Sequence, residues 1–590
     1  MMRRFNRIVG LLTLVVAIGL PALPAPAESP AAAQELAGLW RAKRHFGPEV
    51  RGALTIERSA GAWTAQIAGQ TAQAAIDHDR LSFELPDGEG AFRGRLKSGR
   101  IIGHWIQPRT VASGNTYASP VTLEQLRRDR WRGVVTPLDD EMTFYMPIKL
   151  NEDGTLGAFL RNPERNVGVF FRVEHVTLDG SSVKLLGRRS KDAPETVVAE
   201  GTYDADNEIL SIYLPSGGGT FDFRRATASD EAGFYPRGKT PAPYAYRSPP
   251  SDKDGWPVAT LKEVGISRDG ISRFVQMLID TPIESVHSSD IHGVLLARHG
   301  KLVLEEYFHG FNRDWLHDTR SAAKSLTSVL TGAASLKGEP IDASTSVYET
   351  MDGATALSDL DSRKRAMTVE NLLTMSSGLD CDDSDSASPG NEDTMQEQSE
   401  QPDWYRYTMD LKMVRAPGEK SVYCSCNPNL IGGVLARATG RWLPELFHDL
   451  LVEPLQIRSY AMNLTPTGDA YMGGGIRLLP RDFMKLGQIM IDQGRWHGSK
   501  ILSRDWARRS VSPLVELGGK QYGYLWWVME YPYKDRTVRA FFAGGNGGQV
   551  VMGIPELDLV IAFYGGNYSD SVFLVPQRVY VPEYILPAVN

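Results

Sequence analysis

The sequence predicts an all-β N-terminal half followed by a mixed α and β domain, and three observations carry that reading. From about Leu36 to Arg225, apolar and polar residues alternate over short runs broken by Gly, Asp and Asn, the pattern of antiparallel strands. Within this half, "LSFELPDGEGAFRGR" from Leu81 matches "LSIYLPSGGGTFDFRR" from Leu210, and a tryptophan, Trp40 or Trp131, stands near the start of each unit. Beyond about Val258 the texture changes to alternating helical and strand-like segments, such as "GVLLARHGKLVLEEYF" and "RDFMKLGQIMIDQG".

Taken in order, the chain opens on basic "MMRRFNR", apolar "IVGLLTLVVAIGLPAL" and the small-residue site Ala25-Pro26-Ala27. This describes a signal peptide over 1–27 and a periplasmic or secreted mature protein. A retained anchor is the weaker reading, because the apolar run is short and broken by Pro21, and no cysteine lies near the cleavage site to accept a lipid. Residues 28–235 form the β-rich domain of two related units. Each unit is read as a small barrel or a sandwich half; closing the sheet would remove its edges, so a lipocalin-like barrel is one form it can take by analogy, and cell-wall or glycan contact is one role open to this domain. "FYPRGKTPAPYAYRSPPSDKDGWP" is rich in proline and turn residues, which makes 236–257 a linker and leaves 258–590 as the second domain.

With 590 residues and a net charge of -7, the chain has no broad cationic surface, so nucleic acid is not expected as a partner. No H-E-x-x-H and no C-x-x-C occurs, and no metal or other cofactor is expected. The three cysteines, Cys381, Cys424 and Cys426, are read for an oxidising compartment as one disulfide plus one thiol. Oligomeric state is left open.

The chemistry centres on "RSAAKSLTSVL", Arg320 to Leu330. A serine and a lysine three apart are a weak signal alone, and Ser181 and Lys184 repeat the spacing. Those two, however, lie in "LDGSSVKLL", a turn and strand that put alternate side chains on opposite faces. Ser321 and Lys324 open an Ala- and Leu-rich helical stretch, so they share a face and Lys324 can reach the Ser321 hydroxyl. The helix dipole and burial are expected to push Lys324 toward the neutral amine that a base requires. "APGEKSVYCSCNPNL" puts Tyr423 and Ser425 two apart ahead of a helix, where both hydroxyls can face one cleft. "FFAGGNGGQVVMGIPELDLVIAF" is a glycine-dense turn entering an apolar strand, suited to a substrate lying close to backbone.

Together with "TVENLLTMSSGL", "GGGIRLLPRDFMKLGQIM" and "YGYLWWV", these blocks resemble the serine β-lactamase and penicillin-binding-protein superfamily, in particular its class C-like branch of esterases, D-aminopeptidases and 6-aminohexanoate-dimer hydrolases. The resemblance covers the second domain and implies an antiparallel sheet between helical layers. It makes Ser321 the acylated nucleophile, Lys324 its base, Tyr423 the proton relay to the leaving group, and the Ser321 N–H plus one near Gln549 the oxyanion hole. Where β-lactamases carry Tyr-x-Asn this chain has Tyr423-Cys424-Ser425, and where they carry Lys-Thr-Gly it has Asn546-Gly547-Gly548. Ser425, Asn546, Gly547, Gly548, Gln549 and Trp526 are therefore the expected substrate-binding residues, with one of Trp526 and Trp527 in the core and the other in the groove.

A disulfide from Cys381 to Cys424 is expected to anchor the acidic loop beside the segment carrying Tyr423, with Cys426 as second choice. That loop, "DCDDSDSASPGNED", lacks EF-hand spacing and is read as solvated. His292, His299, His309 and His317 have no spacing that makes a triad with Ser321, and G-x-S-x-G is absent. The leading expectation is an exported serine hydrolase acting on a small ester or amide. The alternatives are a β-lactamase or D-amino peptidase or amidase and, from another class, a non-catalytic penicillin- or cell-wall-binding protein.

Overall fold

The computed structural model of the protein describes residues 35–59, 61–110, 114–188, 192–353 and 360–590. The expected signal peptide lies outside them.

The β-rich half consists of two eight-stranded antiparallel barrels, one inserted in the other. The strand Gly38–Gly47 begins a closed barrel and pairs with Asp140–Leu150 and Gly219–Arg225. Between the first two strands of that barrel lies the second one, from Gly52–Ser59 to Arg130–Val135, closed where those two strands pair from Gly52↔Val135 to Glu57↔Arg130. The repeated sequence segments take the same form in both: strand, one 3-10 turn (Pro86–Gly88 or Pro215–Gly217), strand. The units do not coincide with the barrels, however. Trp40 stands on a strand of the barrel that contains Leu210–Arg225, and Trp131 closes the barrel that contains Leu81–Arg95, so the strand opening each sequence unit completes the other unit's barrel. Alternating side chains fill each interior, which eight strands leave just wide enough for packing.

The second domain is built on an eight-stranded antiparallel sheet in the order 301–307, 291–298, 559–565, 549–554, 536–545, 527–533, 520–522, 515–517. Its strands are apolar on both faces, and the period of two sorts them. Val551 and Ala562 pack with the helices Ala323–Leu336 and Pro480–Ile491, while Val550, Met552, Ile561 and Phe563 pack with the helix Arg268–Ile279 and the C-terminal turns around Tyr580. The sheet thus lies between two helical layers.

Two features join the halves. The proline-rich stretch 236–257 lies along the second domain, where the buried Arg481 guanidinium binds Asp254 at 3.1 Å, Glu305 at 2.6 Å and the Pro250 carbonyl at 2.9 Å. A short sheet, Tyr460–Leu464 with Ile476–Leu478 and His317–Asp318, extends the inserted barrel through Met462↔Ala118 and Leu464↔Thr116. The residues just before Ser321 are therefore the edge of a sheet that begins in the barrel.

Candidate active site

Ser321 lies in a 3-10 turn, Arg320–Ala322, that runs directly into the helix Ala323–Leu336. The turn is fixed from both sides. Thr319 donates its N–H (3.1 Å) and hydroxyl (2.6 Å) to the Ile476 carbonyl, and Asp318 accepts the Arg320 N–H at 3.0 Å. Arg320 sits at φ +48°, a left-handed conformation uncommon for an arginine, held by these contacts at the residue before the serine.

The Ser321 side chain does not cap the helix. Its Oγ accepts from Lys324 Nζ at 3.0 Å, and the same ammonium donates to the Gly473 carbonyl at 2.6 Å. Lys324 is buried, 1% exposed, so it is no solvated surface lysine. Nor is it the neutral amine expected from burial and the helix dipole. Burial does disfavour its charge, but Tyr423, Glu392 and Asp383 favour it by more, and the lysine is held above its ordinary pKa. The expectation failed because those two carboxylates come from the acidic loop read as solvated.

Tyr423 lies beside this pair, with Lys324 Nζ 5.1 Å from its ring centre. The ring stacks on Trp527 at 5.9 Å and 17°. The segment is tied down by Ser421 Oγ to the Thr374 carbonyl (2.8 Å), by the Val422 N–H to the Met375 carbonyl (2.8 Å) and by the disulfide Cys381–Cys424. Cys426 is a buried free thiol.

Several substrate-binding expectations need correction. Ser425 is fully buried, and its hydroxyl donates to Asp383 Oδ2 at 2.6 Å rather than facing a cleft. Trp526 is in the core, edge-on to Phe541, and Trp527 is the partly open ring beside Tyr423; alternation along a strand settles that the two differ but not which faces in. Gln549 is buried, and its side-chain Nε2 is committed to the Gly565 carbonyl at 2.6 Å. The strand Arg536–Gly545 meets the nucleophile turn, and Gln549–Ile554 beside it also approaches that turn. A Cβ added to Gly545 would lie 2.5 Å from the Thr319 carbonyl oxygen and 3.0 Å from the Ala322 nitrogen, so only glycine permits this approach.

Asn546 follows at the strand end, half-buried, with Oδ1 accepting the Ser569 N–H at 2.8 Å. Gly547 and Gly548 turn the chain at φ +92° and +96°, and a Cβ on Gly547 would lie 2.6 Å from the Tyr568 ring. Of two arginines that could restore a positive charge beside Asn546, Arg539 is exposed against Glu530 at 3.7 Å, and Arg477 faces Asp318 at 3.7 Å.

The acidic loop supplies the residues that sequence reasoning missed. Asp383 and Glu392 approach Lys324, and the usable signal was the disulfide itself, since joining Cys381 to Cys424 draws Asp383 next to Ser425. The buried histidines form a separate group, His292 Nδ1 to His317 Nε2 at 2.9 Å with Asp290 and Arg161 behind them. Among the described residues, the sulfurs of Cys381, Cys424 and Cys426 lie within 4.8 Å of one another, but two of them are spent on the disulfide.

Residues 283–565 match the family model described as Beta-lactamase. The 6-aminohexanoate-dimer hydrolase of Paenarthrobacter ureafaciens is 27% identical over 221 residues, covering 36% of this chain and 55% of that protein, so the chain spans about half the length of this curated relative. Among solved structures, a putative 6-aminohexanoate-dimer hydrolase from Bacillus anthracis has a TM-score of 0.42 at 19% identity, covering 50% of this chain and 78% of that one. EstCE1, a hydrolase with promiscuous acyltransferase activity, has a TM-score of 0.41 at 17% identity, covering 54% and 97%. Residues 283–565 belong to the β-lactamase family, on the branch that includes 6-aminohexanoate-dimer hydrolase relatives.

Proposed function

We propose that the protein is an exported serine hydrolase that cleaves a small, uncharged ester or amide through an acyl-enzyme on Ser321. The observation that carries this reading is the 3.0 Å contact between Ser321 Oγ and the buried Lys324 ammonium, with Tyr423 against the same lysine. In this reading the Tyr423–Lys324 pair takes up the Ser321 proton as Oγ attacks the substrate carbonyl. Tyr423 then returns a proton to the leaving group, and water repeats the sequence in reverse to release the acid. The developing oxyanion is received by the Ser321 N–H and an N–H from the strand end at Gly545–Asn546. Asn546 supports an uncharged substrate, since a neutral amide offers no ion pair to a carboxylate. The 27% identity to an amide-cleaving relative supports amides as well as esters as substrates, and the Cys381–Cys424 disulfide fits an oxidising compartment.

Labelling with a fluorophosphonate tests the assignment. Intact-mass analysis is expected to show a single adduct on Ser321 in the native protein and none in Ser321→Ala. Equal labelling of the two would place the nucleophile elsewhere.

A further inference from the structure

We propose that Asp383 and Glu392 form a carboxylate bracket that positions Lys324 and Tyr423 for catalysis, an inference that rests on the hydrolytic role of Ser321 given above. Asp383 grips both neighbours of Cys424. Its N–H donates to the Tyr423 carbonyl at 2.9 Å, and its Oδ2 accepts the Ser425 N–H at 2.8 Å and the Ser425 hydroxyl at 2.6 Å. Its other oxygen accepts the Glu392 N–H at 3.1 Å, which ties the two carboxylates together. Glu392 in turn accepts the hydroxyl of Tyr471, two residues before the Gly473 carbonyl that receives the Lys324 ammonium. The bracket therefore holds the segment that carries Tyr423 and the segment that anchors Lys324.

The charges act in the same direction. Four titratable groups face Asp383: Lys324 from its helix, Cys426 at the start of the helix Cys426–Thr439, Tyr471, and Glu392. Burial raises the Asp383 carboxyl to about 6, with Lys324 pulling it down and Glu392 pushing it up. Above that pH the bracket is charged and offsets the desolvation of the Lys324 ammonium. Below it, Asp383 takes up a proton and the offset shrinks, so the Lys324 ammonium keeps its charge but is less well compensated and less firmly held. Neither carboxylate need touch substrate to do this.

The test is the pH dependence of kcat and KM for p-nitrophenyl butyrate in the full chain and in Asp383→Asn, Asp383→Glu and Glu392→Gln. The native enzyme is expected to lose kcat on the acid side with a midpoint near 6. Asp383→Asn should lose that limb and show a kcat at pH 8 reduced about tenfold or more with KM within about twofold, the mark of positioning rather than binding. Asp383→Glu should regain both the limb and most of the rate. Glu392→Gln keeps an acceptor for Tyr471 and should still lower kcat, which covers the case in which Asp383→Asn does not fold. Native kcat and an unchanged acid limb in Asp383→Asn, or in Glu392→Gln if the first is unfolded, would overturn the bracket.

If the native protein turns over no ester and Ser321 takes no fluorophosphonate, the hydrolase reading fails, and melting temperature then tests the bracket alone. A carboxyl whose pKa is raised by folding adds stability as pH falls through 6 toward its unfolded value. The native melting temperature should thus rise relative to Asp383→Asn between pH 7 and 5. A constant difference would refute the bracket.

Discussion

Substituting Gly545 by alanine changes one methyl group and should disable the enzyme while leaving it folded. Gly545 closes the strand Arg536–Gly545 against the nucleophile turn, and the new Cβ would lie 2.5 Å from the Thr319 oxygen, 3.0 Å from the Ala322 nitrogen and 3.2 Å from the Arg320 Cβ. Ordinary contact begins near 3.4 Å, so the tightest contact must open by about 0.9 Å, and two of the three atoms in the way are backbone. The turn cannot recede freely, because the N–H and hydroxyl of Thr319 both donate to the Ile476 carbonyl while its own carbonyl accepts the Ala322 N–H, and the strand is held by pairing Gly545 with Gln549. A displacement near 1 Å between nucleophile and oxyanion donors costs on the order of 10²-fold in rate. Overpacking of this kind costs roughly 1 to 3 kcal/mol of stability, which a domain of this size survives. Gly545→Ala is therefore expected to keep a cooperative melt while its kcat/KM for p-nitrophenyl butyrate falls about a hundredfold. A kcat/KM within threefold of the native value would refute the claim that this strand end forms the oxyanion wall.

Four further outcomes follow from the site. Lys324→Ala and Tyr423→Phe should each reduce kcat by on the order of a hundredfold or more; only Lys324→Ala should also lower the melting temperature, since it strands the Gly473 carbonyl while Tyr423→Phe keeps the ring on Trp527, and Ser181→Ala, exposed in a hairpin turn, should change neither. Reducing the Cys381–Cys424 disulfide, which closes a 43-residue separation, should lower unfolding stability by about 4 kcal/mol in urea titrations. Cys426, buried and with its thiol pushed up to about 12, should resist iodoacetamide until the chain unfolds. Replacing a cationic partner of a substrate carboxylate with the Asn546 amide removes about 1.5 to 3 kcal/mol, so kcat/KM for p-nitrophenyl butyrate should exceed that for nitrocefin by ten- to over a hundredfold; a preference for nitrocefin would show that a cation reaches the cleft after all.

What was legible in the sequence was local. The spacing of Ser321 and Lys324 fixes a shared helical face, and the Leu81 and Leu210 segments predict the same strand, turn and strand because each carries its own turn chemistry. What was not legible depends on which distant segment each element meets. Alternation states that Trp40 and Trp131 point into a barrel but is silent on which barrel, and the structure exchanges them. In the same way it separates Trp526 from Trp527 without stating which member lies beside Tyr423. The Lys324 charge is the sharpest case. Every local influence on it, helix dipole and burial, favours the neutral amine, and the structure reverses the sign with Tyr423 and with two carboxylates from 59 and 68 positions further along the chain. A residue read from its own element is read in the wrong field when a crosslink brings another element to it. The Cys381–Cys424 bond does so here: by fixing one end of the acidic loop beside Tyr423 it makes the loop part of the catalytic electrostatics, so the disulfide affects chemistry through charge placement as well as chain entropy.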